Sequence, residues 1–446
     1  MRVLAVTLAA LALIACNRDP NYLKQKYVES GNKYFDAKRY KEASIMYRKS
    51  LEKDRRYGEA WYRLALTDLQ LGEVANTVGA LHRAVELLQP GTADANDASL
   101  KLAELDVLAA NGQQNNSQFI QEVQQIRDGL LKRNPNSWEG HKLSGDLDML
   151  SVTAKIRKGE AVNAKSEIAD AIVEYRRALA AKGGRDSMMT LALGHALEAN
   201  GQVDEAADLF RKWVDQEKNN LTGYVELYRI YLAQRKLPEA EAILKLSIQN
   251  NPKDAASRLR LAQFYGATGK RDQLLAQLNE MKGNLKDFPE AYVQAGDFYL
   301  RAGNYDEAIR QYEEGIAKDP RQRNKYLKHE VEVYVAQGKP NVASEKDEEV
   351  LKSDPKDTDA REIQAAFMLD KGSVDQAMQE LQSVVTSNPS NFLAHFNLGR
   401  AHFARAEYDQ ARQEFEKATQ LRPDYIPARL AATQVAMIRG DNEQAL

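Results

Sequence analysis

One recurrence limits what this chain can fold into. A column of mostly small residues sits inside helix-forming stretches at Gly194, Tyr228, Ala262, Gly296, Val331, Ala365, Gly399 and Thr433, in steps of 34 residues with a single step of 35. Gly31 and Ala65 keep the same interval of 34. A second column holds alanine, at Ala43, Ala171, Ala206, Ala240, Ala308, Ala343, Ala377, Ala411 and Ala445, and a third holds proline, at Pro252, Pro320, Pro355, Pro389 and Pro423. Three columns on one period mean that a single supersecondary unit is repeated. A unit this short cannot bury its apolar face alone, so neighbours must stack. Strong helix formers dominate, and period-two runs of Val, Ile and Thr are missing, so the unit is a pair of helices.

The columns have physical roles. Gly72, Gly201, Gly269, Gly303, Gly338, Gly372 and Gly440 fall where each first helix should stop, in the left-handed turn that glycine tolerates. Alanine in the second helix allows close approach. The residue four places later is often aromatic (Tyr47, Tyr175, Phe210, Tyr312, Phe415) and is expected to fill the next layer. Proline closes the second helix. Tyr228 and Val331 break the small column, so their repeats are expected to be wider or shifted.

The pattern resembles the tetratricopeptide repeat (TPR), W-x₂-L-G-x₂-Y followed by A-x₃-F and P. The nearest copies are Tyr292-x₂-Ala295-Gly296-x₂-Tyr299 with Ala308, Tyr312 and Pro320, and His395-x₂-Leu398-Gly399-x₂-His402 with Ala411, Phe415 and Pro423. Trp61-x₂-Leu64-Ala65 and Tyr224-x₂-Leu227-Tyr228-x₂-Tyr231 also match. The resemblance implies an all-α solenoid, a right-handed superhelix of antiparallel helix pairs, with about 11 repeats plus a partial one. Residues 24–91 should form two repeats and 187–446 seven repeats plus an incomplete terminal one. Between them, over 92–186, the period fails. Gly112 arrives late, the polar run Gln113 to Ser117 follows, and Ala171-x₃-Tyr175 lies too far from Trp138. Two lengthened helix pairs are expected there, with an arm or loop around Lys155 to Glu160. Ala445 lies one turn into a second helix, as in an unfinished repeat, which keeps open a further domain beyond Leu446.

The start of the chain is of another kind. Met1 and Arg2 precede an apolar run from Val3 to Ile14, ending Leu13-Ile14-Ala15-Cys16. A charge, a short apolar stretch and a small residue make a secretory signal, too short to span a bilayer as a helix. The tetrad resembles the lipobox of bacterial lipoproteins. That resemblance implies removal of residues 1–15, acylation of Cys16, a tether over 16–23, and a membrane-anchored protein of the cell envelope. With Asn17 following the cysteine, it implies the outer membrane of a two-membrane cell, facing the periplasm.

Composition narrows the function. Lys plus Arg (62) almost cancels Asp plus Glu (64), so no positive excess exists to neutralise nucleic acid. No phosphate-binding glycine loop is present. The six histidines are scattered, and His395 and His402 occupy packing columns of the repeat. The single cysteine is taken by the anchor. These features point away from an enzyme and from any cofactor or metal, and toward binding.

The family resemblance places binding on the inner face of the first helices. Its groove columns fall on Tyr62, Leu66, Val225, Arg229, Leu259, Gln263, Val293, Asp297, Lys328, Glu332, Phe396, Asn397 and Arg400. A mixture of apolar anchors and single charges suits an extended peptide or a helix. Asn397 and Arg400 resemble part of the clamp with which some family members grip a terminal carboxylate, but Glu362 and Ala366 stand where the neighbouring repeat should complete it. Arg321, Arg323, Lys325 and Lys328 cluster at one junction, with Glu330 and Glu332 nearby. The expected function is an envelope scaffold that holds peptide or helical segments of secretion, export or assembly partners. The repeats resemble, more loosely, lipoproteins that accompany exopolysaccharide export and exosortase (PEP-CTERM) sorting, through Glu29 to Tyr34 and Tyr40 to Ala43. The alternative is the recognition arm of a larger enzyme, such as a glycosyltransferase, with its catalytic domain beyond Leu446.

Overall fold

A computed structural model describes residues 19–112 and 116–440. Within them are 23 α-helices and no strand, which pair with their neighbours in chain order. The expected signal segment, Cys16 and Ala445 lie outside the described residues. The chain divides into two compact units, one ending at Asn250 and one beginning at Asn251.

The first unit holds six pairs: α1 (Pro20–Asp36) with α2 (Tyr40–Lys53), α3 (Gly58–Gln70) with α4 (Val74–Leu87), α5 (Ala93–Gly112) with α6 (Ser117–Arg133), α7 (Trp138–Arg157) with α8 (Lys165–Ala181), α9 (Ser187–Ala199) with α10 (Val203–Gln216), and α11 (Leu221–Ala233) with α12 (Leu237–Asn250). The second holds five, namely α13 (Ala255–Ala267) with α14 (Arg271–Gly283), α15 (Ala291–Arg301) with α16 (Tyr305–Lys318), α17 (Arg323–Ala336) with α18 (Pro340–Ser353), α19 (Thr358–Asp370) with α20 (Val374–Ser387), and α21 (Phe392–Ala404) with α22 (Tyr408–Leu421). Helix α23 (Ile426–Arg439) follows. Helix α1 begins at Pro20, behind an Asp19 cap, so residues 20–23, expected in the tether, are helical.

Five of the first helices start on Asp or Asn side-chain caps. Asp186, Asn220, Asp254, Asp357 and Asn391 each accept a backbone N–H of the opening turn, satisfying a donor the helix cannot. They stop where expected. Gly201 and Gly303 adopt φ of +77° and +71°, and Lys38, Arg235 and Ala406 are held in the same region at +56° to +58° without being glycine.

The columns interlock within one hairpin. A Cβ placed on Gly31, Gly145 or Gly399 would come 2.5–2.6 Å from the ring of Tyr47, Tyr175 or Phe415, and one on Gly194 or Gly296 would come still closer to Phe210 or Tyr312. Each ring thus covers the glycine of its own pair, and Tyr47, Tyr312 and Phe415 also pack on the following repeat, against Leu64, His329 and Val435. Where the small column is Ala65, Tyr228, Ala262, Val331 or Ala365, the partner position holds Leu81, Leu244, Leu278, Asp347 or Leu381. Tyr228 and Val331 thus stand opposite Leu244 and Asp347, where the glycine hairpins carry a ring. The alanines at 43, 171, 206, 240, 308, 343, 377 and 411 are all 0% exposed, so a larger side chain there would part the helices.

A second device ties four hairpins to their entering turns. Trp61 Nε1 donates to the carbonyl of Arg55 at 2.8 Å and the Tyr224 hydroxyl to that of Lys218 at 3.0 Å. His141 Nε2 lies 3.0 Å from the Pro135 carbonyl and His395 Nε2 3.2 Å from that of Pro389. The other ring nitrogen of each histidine meets Glu174 or Glu414. These histidines are structural.

The irregular stretch resolves as lengthened pairs. Helices α5 and α7 each run 20 residues and α6 and α8 each run 17. Half of the expected arm, Lys155 to Arg157, is helix, and Lys158 to Glu160 turn away from it. Lys155 and Arg157 lie in the last turn of α7, where Lys155 pairs with Glu167 and Arg157 donates to the Asn111 carbonyl at 2.5 Å.

Candidate functional site

The first-helix residues expected in the groove separate into three groups. Some are core. Tyr62 and Val293 are 6% and 7% exposed, and the Tyr62 hydroxyl donates to Asp97 at 2.6 Å. Asn397, at 5%, donates to Glu362 and receives Arg400. These three hold the wall together and do not line it. Leu66 and Phe396 are half-buried, Leu66 beside Asn32, Phe35 and Tyr47, and Phe396 against the rings of Phe415 and Tyr425.

A second group is polar and already engaged. Arg229 bridges Glu226 and Glu198, the latter 31 residues back in the preceding first helix. Hydrogen bonds donated to Glu198 hold its guanidinium pKa still higher than usual. Lys328 meets Asp357 at 3.0 Å and Asp359 at 3.1 Å. Arg400 reaches Asp370 at 2.6 Å. Asp297 accepts the Tyr312 hydroxyl at 2.7 Å and faces His329 Nδ1 at 3.3 Å. Burial alone would raise its carboxyl, but the hydrogen bonds from His329 and Tyr312 outweigh that and hold it below the usual range. Glu332 is exposed beside the same histidine. The basic junction is neutralised as well, Arg321 by Asp319, Arg323 by Glu349 and Lys325 by Glu290. Its acids are Asp319, Glu290 and Glu349, not Glu330 and Glu332. Glu330 instead pairs with Lys346.

The tyrosine rings reach the groove from below. The hydroxyls of Tyr47, Tyr175 and Tyr312 donate to Asn32, Asp146 and Asp297, each the residue after the glycine its ring covers. In the two hairpins that carry Phe210 and Phe415, that position is His195 or Arg400, neither of which needs a donor.

Among the described residues, His195, Glu198 and Glu226 bring three donor atoms within 4.8 Å. The Arg229 guanidinium bonded to both glutamates supplies the positive charge that a cation would bring there. The resembled carboxylate clamp is closed off too, because Glu362 and Arg400 occupy Asn397 from both sides. Burial pushes the Glu362 carboxyl up to about 7, with the Asn397 bond opposing.

The third group remains open. Val225 is half-buried, Leu259 is half-buried and Gln263 is exposed. In the second unit Leu259 and Gln263 line a hollow of about 660 Å³ between α13 and α15, together with Arg260, Phe298 and Arg301. Those last three were missed from sequence. The signal was legible, since Gly266 stands where the neighbouring repeats carry Leu232 and Leu300.

Family models of the tetratricopeptide repeat match residues 157–220, 197–257, 289–322, 330–391 and 368–434, together more than half of the chain. The chain belongs to the tetratricopeptide-repeat family. As such an array it is a protein–protein interaction scaffold. It is similar to the human protein O-mannosyl-transferase TMTC3, with 24% identity over 258 residues, which is 53% of this chain and 28% of that protein. The chain therefore spans little more than a quarter of that relative's length. Among solved structures, yeast Tom70 is 15% identical with a TM-score of 0.40, covering 95% of this chain and 97% of its own. MamA from Desulfovibrio magneticus RS-1 is 22% identical with a TM-score of 0.29, covering 35% and 88%. Among the described residues, no helix of this tetratricopeptide array is long and apolar enough to cross a membrane.

Proposed function

We propose that this tetratricopeptide array is a lipid-anchored scaffold of the bacterial cell envelope that binds peptide or helical segments of secretion, export or assembly partners along its first helices. One observation carries the binding half of this reading. Most candidate side chains on that face are spent on neighbouring repeats, yet Val225, Leu259 and Gln263 stay partly or fully exposed. The anchor half rests on Leu13-Ile14-Ala15-Cys16 after its apolar run; acyl chains at about 0.8 kcal/mol per buried CH₂ would hold it lastingly. Photocrosslinkers at Val225 and Gln263 in the native envelope should capture partners, and one at exposed Leu237 on a second helix should not. Equal yields at all three would move the site off the first helices. Palmitate labelling should vanish in Cys16→Ser, and unchanged labelling would end the anchor.

A second reading, the recognition arm of a glycosyltransferase, is favoured by the match to an O-mannosyl-transferase. Sequencing the gene downstream of Leu446 tests it. A stop codon soon after Leu446 would remove it.

A further inference from the structure

The hollow between α13 and α15 differs from the rest of the first-helix face in charge. Its floor is apolar, with Leu259, Leu274 and Phe298, and it exists because Ala256, Gly266 and Ala267 put almost no side chain on α13. Its lining includes two arginines and no acid. On other first helices of this unit, Lys328 is neutralised by Asp357 and Asp359 and Arg400 by Asp370. Arg260 and Arg301 have no carboxylate within ion-pair distance among the described residues, although Arg301 lends some field to Asp297. Two guanidiniums left without counter-charge beside an apolar hollow are complementary to a ligand that brings both an apolar group and negative charge.

We propose that this hollow is a subsite for a partner polypeptide segment in which a bulky apolar side chain is flanked by Asp or Glu, the apolar group entering over Leu259 and Phe298 and the carboxylates meeting Arg260 and Arg301. The proposal rests on the groove reading above and specifies its chemistry. Leu259 and Phe298 supply contact area without fixing a sequence, and the arginines set the sign of the partner's charge. Binding should therefore weaken as salt is raised.

The test uses the full-length protein and three labelled peptides in a Gly-Ser background, one carrying leucine between glutamates, one leucine between lysines, and one serine between glutamates. Fluorescence anisotropy should show binding of the first alone, and about a tenfold loss for Arg260→Glu with Arg301→Glu. Ala267→Leu, at an exposed position, should fill the hollow and weaken the same peptide with the arginines intact. Far-ultraviolet dichroism checks that each variant folds. Equal binding of the glutamate and lysine peptides, no binding of any peptide, or indifference to the charge reversals would overturn the subsite. Crosslinking at Val225, in the other unit, would still report on the groove reading, so the two can fail separately.

Discussion

At the scale of single residues, Asp347 is the most informative departure from the repeat. It occupies the position that other hairpins fill with an aromatic ring or leucine, it is 0% exposed, and neither carboxylate oxygen has a hydrogen-bond partner. Burial pushes its carboxyl up to about 7, with the charges of Asp357, Glu362 and Glu348 adding and Lys328 opposing. The unfolded chain releases that proton near about pH 4. Between these values the native state binds more protons, so this group's contribution to stability falls as pH rises toward 7 and then levels off. Asp347→Leu should stabilise the protein by about 2 kcal/mol at pH 8 and by less at pH 5. Denaturant melts at the two pH values check this, and an equal gain at both would place the cause in packing. Ala406 is the second case, at φ +58° where most other repeats use glycine. Ala406→Gly should stabilise by about 0.5–1 kcal/mol, because relief of left-handed strain exceeds the entropy glycine adds to the unfolded chain. A lowered midpoint would contradict that.

At the scale of the element, the hairpin is a matched pair of positions. Five glycines face five rings, and five larger residues face Leu or Asp. Gly296→Ala should cost about 1–3 kcal/mol, since the methyl group meets the Tyr312 ring and the hairpin must open. Adding Tyr312→Leu reproduces the Ala65–Leu81 combination already present in this chain. The double variant should recover at least half of the loss, a coupling that a double-mutant cycle measures directly. Additive losses would mean that the match between the columns is incidental. Each of these positions was legible from the 34-residue period, but their dependence on one another was not read from it. A column compares equivalent sites along the chain, whereas the constraint acts between two columns, across a hairpin.

At the scale of the molecule, stability in such an array is a sum of hairpins and their nearest interfaces. The division after Asn250 adds a boundary to that sum. Gly296→Ala should lower hydrogen-exchange protection in α13–α23 and leave α1–α9 nearly unchanged, because local openings remain within cooperative groups. Uniform loss along the chain would show a single cooperative unit. The same nearest-neighbour logic explains the first-helix face. Arg229, Lys328 and Arg400 find their acids 29–31 residues away, in the adjoining first helix. The repeat therefore spends its groove charges on its own stacking, and binding capacity is left where that pairing lapses, at Arg260 and Arg301.

The sequence alone determined the helical hairpin, its period, its turn glycines and the buried alanine column, because each follows from local propensity repeated at a fixed interval. It also marked α13 as lacking bulk at Gly266. Which groove candidates are wall and which are free was decided only by tertiary structure. Tyr62, Asp297 and Asn397 read as binding residues by register, yet each has a partner contributed by another helix. Whether a polar side chain is available depends on what the packed helices offer it, and for Tyr62 and Asn397 that neighbour lies a full repeat away along the chain.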